Sequence, residues 1–400
     1  MAVDPAKRLV TGTLRVEFRP DLPTDHVRFR LWPNAPPQAA EGAKLTVSDV
    51  KALDDHRLRI VGSDDPTTLL AFVRPGLQPG DRISMSLAWR LRLPGAVLDR
   101  LAAGKDMAMM GSFFPILPWQ PAVGWATDPP TTTLAEAGTS PTADFDVSIR
   151  TVPADLTVLA TGQEVKPGHW HAEAVRDFAV AVGRFRLGRT QASLPDPVDV
   201  TVGVLEGVQL SPEQLGARIA HTLADLSSLY GSYPWPTFTM VILPNVGRSG
   251  IEYPNLVFEG PDGIARVTTH ELAHQWFYSL VGNDQAAFPW VDEALATYAA
   301  GERDGFLPFF ANAHFPGVAA NHVGYPMAFW DDYPDLYEPG VYFNGVKALV
   351  SLGAPHVIDC ALRSYVAEHA YGIATTDDLV DALSARFPNA RKELRPFGIS

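Results

Sequence analysis

A chain of 400 residues, 46% hydrophobic and 19% charged, has the composition of an ordinary globular protein and the length of two domains. Its formal net charge of −13 argues against nucleic acid as a partner, and a single cysteine, Cys360, excludes an internal disulfide framework. No stretch approaches about 18 uninterrupted apolar residues, so no membrane span is predicted, and the N-terminus lacks the charged and apolar blocks of a secretory signal. The chain as written reads as soluble, and as secreted or cell-surface if a signal has been removed from a longer precursor.

From the start to about Arg189 the pattern is short strands and turns. Gly12-Thr13-Leu14-Arg15-Val16-Glu17-Phe18 and Val27-Arg28-Phe29-Arg30-Leu31-Trp32 alternate apolar with polar, as do 45–50, 58–61, 83–93, 145–152, 156–161 and 178–185. Strands at this spacing predict an antiparallel β saddle or sandwich. Residues 107–125, apolar and proline-rich, read as a loop docking against another domain, and 128–142 as a flexible loop. The composition shifts at Leu194-Pro195-Asp196-Pro197, which predicts domains over 1–195 and 196–400.

Beyond that point helices dominate. Ser211-Pro212-Glu213-Gln214 places a Ser cap before Pro at the first position and Gln where a capping box needs it, so a helix is predicted to run to Tyr230 before Gly231. Residues 238–243 and 252–258 read as strands around a glycine-containing bend. Helices are expected near 344–352, 354–370 and 377–387, with Cys360 as a small buried hydrophobe.

The stretch that carries chemistry is Thr269-His270-Glu271-Leu272-Ala273-His274-Gln275-Trp276. On a helix His270 and His274 lie one turn apart on one face, where a metal takes one nitrogen from each and Glu271 stands beside it as general base. Residues 267–281 contain no Gly or Pro, so one helix is predicted there, stopped by Gly282-Asn283-Asp284. A second helix starts near Pro289 and carries Glu293 in its first turn or so. Two helices joined by a short loop bring Glu293 back to the histidines. Two His and one Glu are the ligands of a catalytic zinc site with its fourth position open to water. The plainer reading, a helix with two ordinary histidines, leaves Glu293 and the helix signals unexplained.

His270-Glu271-Leu272-Ala273-His274-Gln275-Trp276, with eighteen residues between His274 and Glu293, resembles the gluzincin aminopeptidases related to aminopeptidase N and leukotriene hydrolase. Trp290-Val291-Asp292-Glu293-Ala294 is similar to the family's Trp-Leu-Asn-Glu-Gly segment, and Tyr342-Phe343-Asn344-Gly345 to its Tyr-x-Lys-Gly segment. Tyr230-Gly231-Ser232-Tyr233-Pro234-Trp235 is similar to the run before its active-site strand. The resemblance implies an α+β, two-domain fold: an N-terminal β saddle, then a thermolysin-like, mostly helical zinc-peptidase domain. Three departures stand out. The family's Gly-x-Met-Glu-Asn motif is Ser249-Gly250-Ile251-Glu252-Tyr253 here, with Tyr253 in place of Asn. A second amine anchor has no clear counterpart, Asp106 being the nearest. The sequence as given reaches Ser400 without the large helical C-terminal domain common in the family, which leads one to expect a more open site, and residue 1 falls just before the family's second strand, so upstream residues are expected.

The resemblance implies one zinc per chain on His270, His274 and Glu293, with Glu271 taking the proton of an attacking water and delivering it to the leaving amine. Tyr342 is implied as donor to the tetrahedral oxyanion, and Tyr337, five residues earlier, as pocket wall. Glu252 suits a substrate α-ammonium, on a strand whose Gly250 lets a peptide backbone approach. Peptides are then the substrates, and removal of N-terminal residues the activity. An endopeptidase, an epoxide hydrolase as in one branch of the family, or a binding protein with a retired zinc site would use the same residues. His169 and His171 share a strand face without a third ligand, and the acidic loop Asp331-Asp332-Tyr333-Pro334-Asp335 reads as a solvated turn. The preferred first residue and the oligomeric state are not legible in the sequence.

Overall fold

The computed structural model describes residues 1–95, 100–133 and 138–400, so 134–137 of the loop read over 128–142 lie outside the described residues. The chain divides into two compact units, with the change at Arg184 and Phe185. The first unit is built from β-sheet. A five-stranded sheet runs in the order Arg150–Thr151, Ala2–Asp4, Leu9–Phe18, Ile83–Arg92, Lys44–Ala52. Along Ile83–Arg92 the residues Ile83, Met85, Leu87, Trp89 and Leu91 are buried, so the period-two pattern does put one face in the core. Smaller sheets pair Thr24–Arg30 with Thr68–Leu77 and Ala143–Ser148 with His169–Val175.

Residues 107–125 differ from expectation. They supply the strands Ala108–Met110, Trp119–Gln120 and Gly124–Trp125. Their rings pack inside the same unit: Trp119 and Trp125 on Phe18, Phe113 on Trp89, and Phe114 on Phe145. Apolar rings in a proline-rich run here mark the unit's own core.

The second unit holds a five-stranded sheet in the order Phe185–Ala192, Val198–Leu205, Thr237–Ile242, Leu256–Glu259, Gly250–Tyr253. The division at Phe185 corrects the boundary drawn at 195. Phe185–Ala192 pairs residue for residue with Val198–Leu205, so Leu194-Pro195-Asp196-Pro197 is a hairpin turn inside this unit. The proline-rich composition signalled a reversal of the chain, which turns and linkers share. Helix Pro212–Tyr230 packs on both strands of that hairpin. The Ser cap is as read, Ser211 Oγ accepting the Gln214 N–H at 3.2 Å, and Gly231 follows the last residue.

Three further segments depart from the sequence reading. Residues 252–258 form no single strand; the chain turns at Pro254-Asn255, with Asn255 at φ +49°, so that Gly250–Tyr253 and Leu256–Glu259 make a hairpin. The helix expected over 267–281 is only Thr268–Ala273. Past His274 the turns widen, the amides of Ser279, Leu280 and Val281 bonding the carbonyls of His274, Gln275 and Trp276, and Tyr278 takes φ +119°. Side chains in this stretch bond backbone elsewhere, Trp276 Nε1 donating to the Gly231 carbonyl at 2.8 Å. Cys360 is exposed, because helix Pro355–His369 buries Ile358, Ala361, Leu362, Tyr365 and Val366 and turns residue 360 outward. The late helices Asn344–Ser351, Pro355–His369 and Thr376–Ser384 lie where expected. Among the described residues no single helix is long and apolar enough to cross a membrane.

Candidate active site and metal centre

The site forms where helix Thr268–Ala273 packs against helix Trp290–Asp304, beside the edge strand Gly250–Tyr253. Glu293 stands in the first turn of its helix, and its Oε2 lies 3.3 Å from His270 Nε2 and 3.5 Å from His274 Nε2. The two Nε2 atoms are 3.0 Å apart. A tetrahedral zinc with bonds of about 2.0–2.1 Å separates its ligand atoms by about 3.3–3.4 Å, so the triangle is of the right size.

The outer nitrogens show that both lone pairs face this triangle. His274 Nδ1 lies 2.9 Å from the Phe277 carbonyl, which only accepts, so Nδ1 carries the proton and Nε2 is free to ligate. His270 Nδ1 lies 3.3 Å from Thr297 Oγ1, whose own hydroxyl donates to the Glu293 carbonyl at 2.7 Å. The hydroxyl therefore accepts from His270. Neither Thr297 nor the Phe277 carbonyl was read from the sequence, although Thr297 lies four residues after Glu293 on the same helix face, a spacing that would have found it.

Electrostatics point to a bound cation. Glu252, Glu271 and Glu293 are 3%, 4% and 2% exposed, three buried carboxyls around two imidazoles. Burial opposes the charge on Glu293, yet the adjacent His274 and His270 rings hold it below the usual carboxylate range. Burial, with His274 beside it, keeps His270 neutral. Burial also disfavours a charged His274, but Glu252, Glu293 and Glu271 together pull its pKa up. Burial raises the Glu271 carboxyl, His274 opposes this, and Glu252, Glu259 and Glu293 add to it. The field is thus one of excess negative charge that a divalent ion would neutralise. Among the described residues two overlapping donor groups emerge, His270/His274/Glu293 and Glu252/Glu271/His274. The first has the closed triangle; the second puts both remaining carboxylates beside the same centre.

Strand alternation accounts for the rest. Along Gly250–Tyr253, Ile251 and Tyr253 share one face and Gly250 and Glu252 the other. A Cβ on Gly250 would fall 2.3 Å from Glu271 Cδ, so this residue makes room for the Glu271 side chain, a use of the glycine the sequence reading did not foresee. Tyr253, the departure from the family's Asn, is fully buried on the opposite face, edge-on to Phe258. It leaves the Glu252 side of the strand untouched. Across the hairpin Glu259 shares the Gly250 face; it accepts from Thr268 Oγ1 at 2.7 Å, and burial pushes its carboxyl up to about 7. Asp292, where the family's similar segment has Asn, accepts from Gln285 Nε2 at 3.0 Å and the Glu293 amide at 2.9 Å. Burial, reinforced by Glu293, pushes its carboxyl up to about 8.

Tyr342 lies in a π-helical turn, Glu338–Phe343, with its ring stacked on His270 at 5.7 Å between centroids. Burial, with Glu293 next, raises its pKa, which keeps the hydroxyl a proton donor. The buried Tyr337 packs edge-on against Tyr342 and on Trp330. All eight residues singled out from the sequence therefore lie in the second unit, in contact with one another or with the triangle. Asp106, in contrast, lies exposed in the first unit after strand Leu101–Ala103.

The chain is 26% identical over 216 residues to aminopeptidase B of Homo sapiens, covering 46% of this chain and 33% of that protein. It is 26% identical over 237 residues to leukotriene A-4 hydrolase of Xenopus laevis, covering 48% and 39%. Aminopeptidase M1-A of Oryza sativa subsp. japonica matches at 26% over 189 residues, covering 38% and 21%. The matches thus span 21–39% of the length of these relatives. A mutant M1 zinc metallopeptidase from Deinococcus radiodurans, bound to a Tyr-Ser-Ala substrate, superposes with a TM-score of 0.72 at 18% identity, covering 100% of this chain and 92% of that one. A two-domain M1 zinc metallopeptidase bound to L-tryptophan gives 0.69, also at 18%. No protein-family model matches the chain.

Proposed function

From a chain that has the fold of a two-domain M1 zinc metallopeptidase and resembles the aminopeptidases and leukotriene hydrolase in sequence, we infer a zinc-dependent peptidase that removes N-terminal residues from peptides. The observation that carries this is the triangle of His270, His274 and Glu293 donor atoms, 3.0–3.5 Å apart, with both outer imidazole nitrogens already bonded. Zinc held there would polarise the scissile carbonyl and acidify a water.

The chain's own groups divide the remaining work. Glu271, buried beside His274, takes a proton from the attacking water onto its carboxylate; its raised proton affinity suits it to hold that proton until the leaving amine nitrogen accepts it. The Tyr342 hydroxyl donates to the oxygen on which negative charge develops. Glu252, on the strand face next to Glu271, accepts hydrogen bonds from the substrate α-ammonium and so favours a free N-terminus over an internal bond. Tyr337 lines the pocket against Tyr342.

Aminoacyl and N-blocked chromogenic peptides distinguish this reading from its competitors. The purified protein is expected to hydrolyse the free-amine substrate, to lose activity with a chelator, and to lose about 10²–10⁴-fold in kcat as Glu271→Ala. Glu252→Gln is expected to raise KM for the free-amine substrate far more than for the N-blocked one. Equal losses on both would remove Glu252 from amine recognition, cleavage of blocked peptides alone would indicate an endopeptidase, and no chelator-sensitive hydrolysis at all would leave a binding protein.

A further inference from the structure

Gln275 follows the second histidine directly and is 0% exposed. Its amide grips one short stretch of backbone at both ends: Nε2 donates to the Tyr253 carbonyl at 3.1 Å, and Oε1 accepts the Asn255 N–H at 2.8 Å. Those groups flank Pro254, the turn of the hairpin whose first strand carries Glu252. Among the described residues that strand is the sheet's edge, paired with Leu256–Glu259. The turn is demanding too, since Asn255, a non-glycine, is held at φ +49°.

An edge strand bearing a buried carboxylate next to other carboxylates is under outward pressure. Glu252 and Glu271 each bring an oxygen within 4.8 Å of the same donor atom of His274, and Glu293 Oε2 lies 3.5 Å from His274 Nε2. Like charges so placed repel across a low-dielectric interior, and strand pairing on one side alone leaves the turn end of the strand to yield first. The Gln275 amide closes that end.

We infer that Gln275 is a positioning residue, which locks the hairpin turn to the residue after His274 and thereby fixes the Glu252 carboxylate relative to the metal donors. Its functional consequence depends on the reading of Glu252 as the partner of the substrate ammonium; its structural consequence does not. A carboxylate–ammonium pair gains its strength from short, aligned contacts, so loosening the hairpin weakens recognition of a free N-terminus. A substrate with a blocked N-terminus makes no such pair and is unaffected.

Gln275→Met removes both hydrogen bonds at similar volume, while Gln275→Glu keeps an acceptor for the Asn255 N–H and loses the donor to the Tyr253 carbonyl. Both are prepared as the zinc-loaded full chain and compared by metal content, by amide hydrogen exchange over Gly250–Glu259, and by kinetics on an aminoacyl substrate and its N-acetyl counterpart. Zinc should remain at one per chain. Exchange at the turn should rise about tenfold or more in Gln275→Met and less in Gln275→Glu, as expected when a buried amide loses its partner. KM for the aminoacyl substrate should rise about tenfold, with kcat and the N-acetyl KM nearly unchanged. Unchanged exchange, or equal rises in KM on both substrates, would overturn the proposal. If Gln275→Met does not fold, the isosteric Gln275→Glu carries the same comparison. Should the wild-type chain hydrolyse neither substrate, the aminopeptidase reading fails, and exchange at the turn by itself still decides whether Gln275 holds the hairpin.

Discussion

Gly250 and Glu271 show how one missing methyl group can control a catalytic side chain. The Cβ of an alanine at 250 would occupy the space of Glu271 Cγ and Cδ, 2.3 Å from each. The flexible carboxylate end yields before the backbone does, so Gly250→Ala should fold with an almost unchanged melting temperature while kcat falls about 10²-fold. Retained kcat would show that Glu271 works equally well from a displaced position. Asp177 offers a residue-scale test in the first unit. It is 3% exposed, accepts from Ser112 Oγ at 2.6 Å and from the Phe178 amide at 2.7 Å, and burial pushes it up to about 6 from 3.8. Between those two values the folded chain keeps a proton that the unfolded chain releases. Stability from this group therefore grows as pH falls through about 6 towards 4 and is lost as pH rises again, by at most about 3 kcal/mol. Denaturant unfolding of wild type and Asp177→Asn at pH 4.5 and 7 should show that slope in the difference between them. Parallel curves would mean that Asp177 ionises as freely in the fold as in the unfolded chain.

At the scale of elements, the helix Trp290–Asp304 supplies a ligand and its neighbour's support together. Glu293 and Thr297, one turn apart, face the same histidine pair, so the helix delivers a carboxylate to His270 Nε2 and a hydroxyl to His270 Nδ1. Thr297→Val keeps the shape and the helix but leaves His270 free to turn and to change tautomer. Zinc affinity should fall about 10–100-fold, the usual cost of losing a group that orients a ligand, read by competition with a chromophoric chelator. An unchanged affinity would place the orientation of His270 in its stacking on Tyr342 instead. The broken helix after His274 belongs to this scale as well. A straight helix through 281 would carry residues 275–281 along one axis, whereas the observed turns let Gln275 reach the hairpin and Trp276 reach Gly231.

For the whole molecule, stability and metal content are linked. Three carboxyls under 5% exposed are tolerable because histidines, and then a divalent ion, offset their charge. Stripping zinc with a chelator should lower the melting temperature, and one equivalent of zinc should restore it. At a free zinc concentration about 100-fold above Kd the expected stabilisation is about 2.7 kcal/mol. The inactive Glu271→Ala chain should show the same direction of shift, which separates binding from turnover. A melting temperature indifferent to zinc would leave the triangle without a metal.

The sequence by itself determined whatever local spacing determines. His270 and His274 four apart, Glu271 between them, Glu293 in the first turn of the next helix, the Ser211 cap and the alternating strand Ile83–Arg92 were all legible, because helix and strand periodicity places side chains on faces without reference to the rest of the chain. Even Tyr342 and Glu252 were reached through short motifs. Where the evidence in the sequence was composition alone, it was ambiguous: proline at 195 and 197 marked a hairpin turn and was read as a boundary, and apolar neighbours made exposed Cys360 look buried. Only the tertiary structure decided which backbone groups the buried side chains would satisfy. Gln275 to Tyr253 and Asn255, Trp276 to Gly231, and Thr268 to Glu259 are hydrogen bonds between residues 9 to 45 positions apart. Such bonds form because burial strips water from both partners, and burial is a property of the assembled fold.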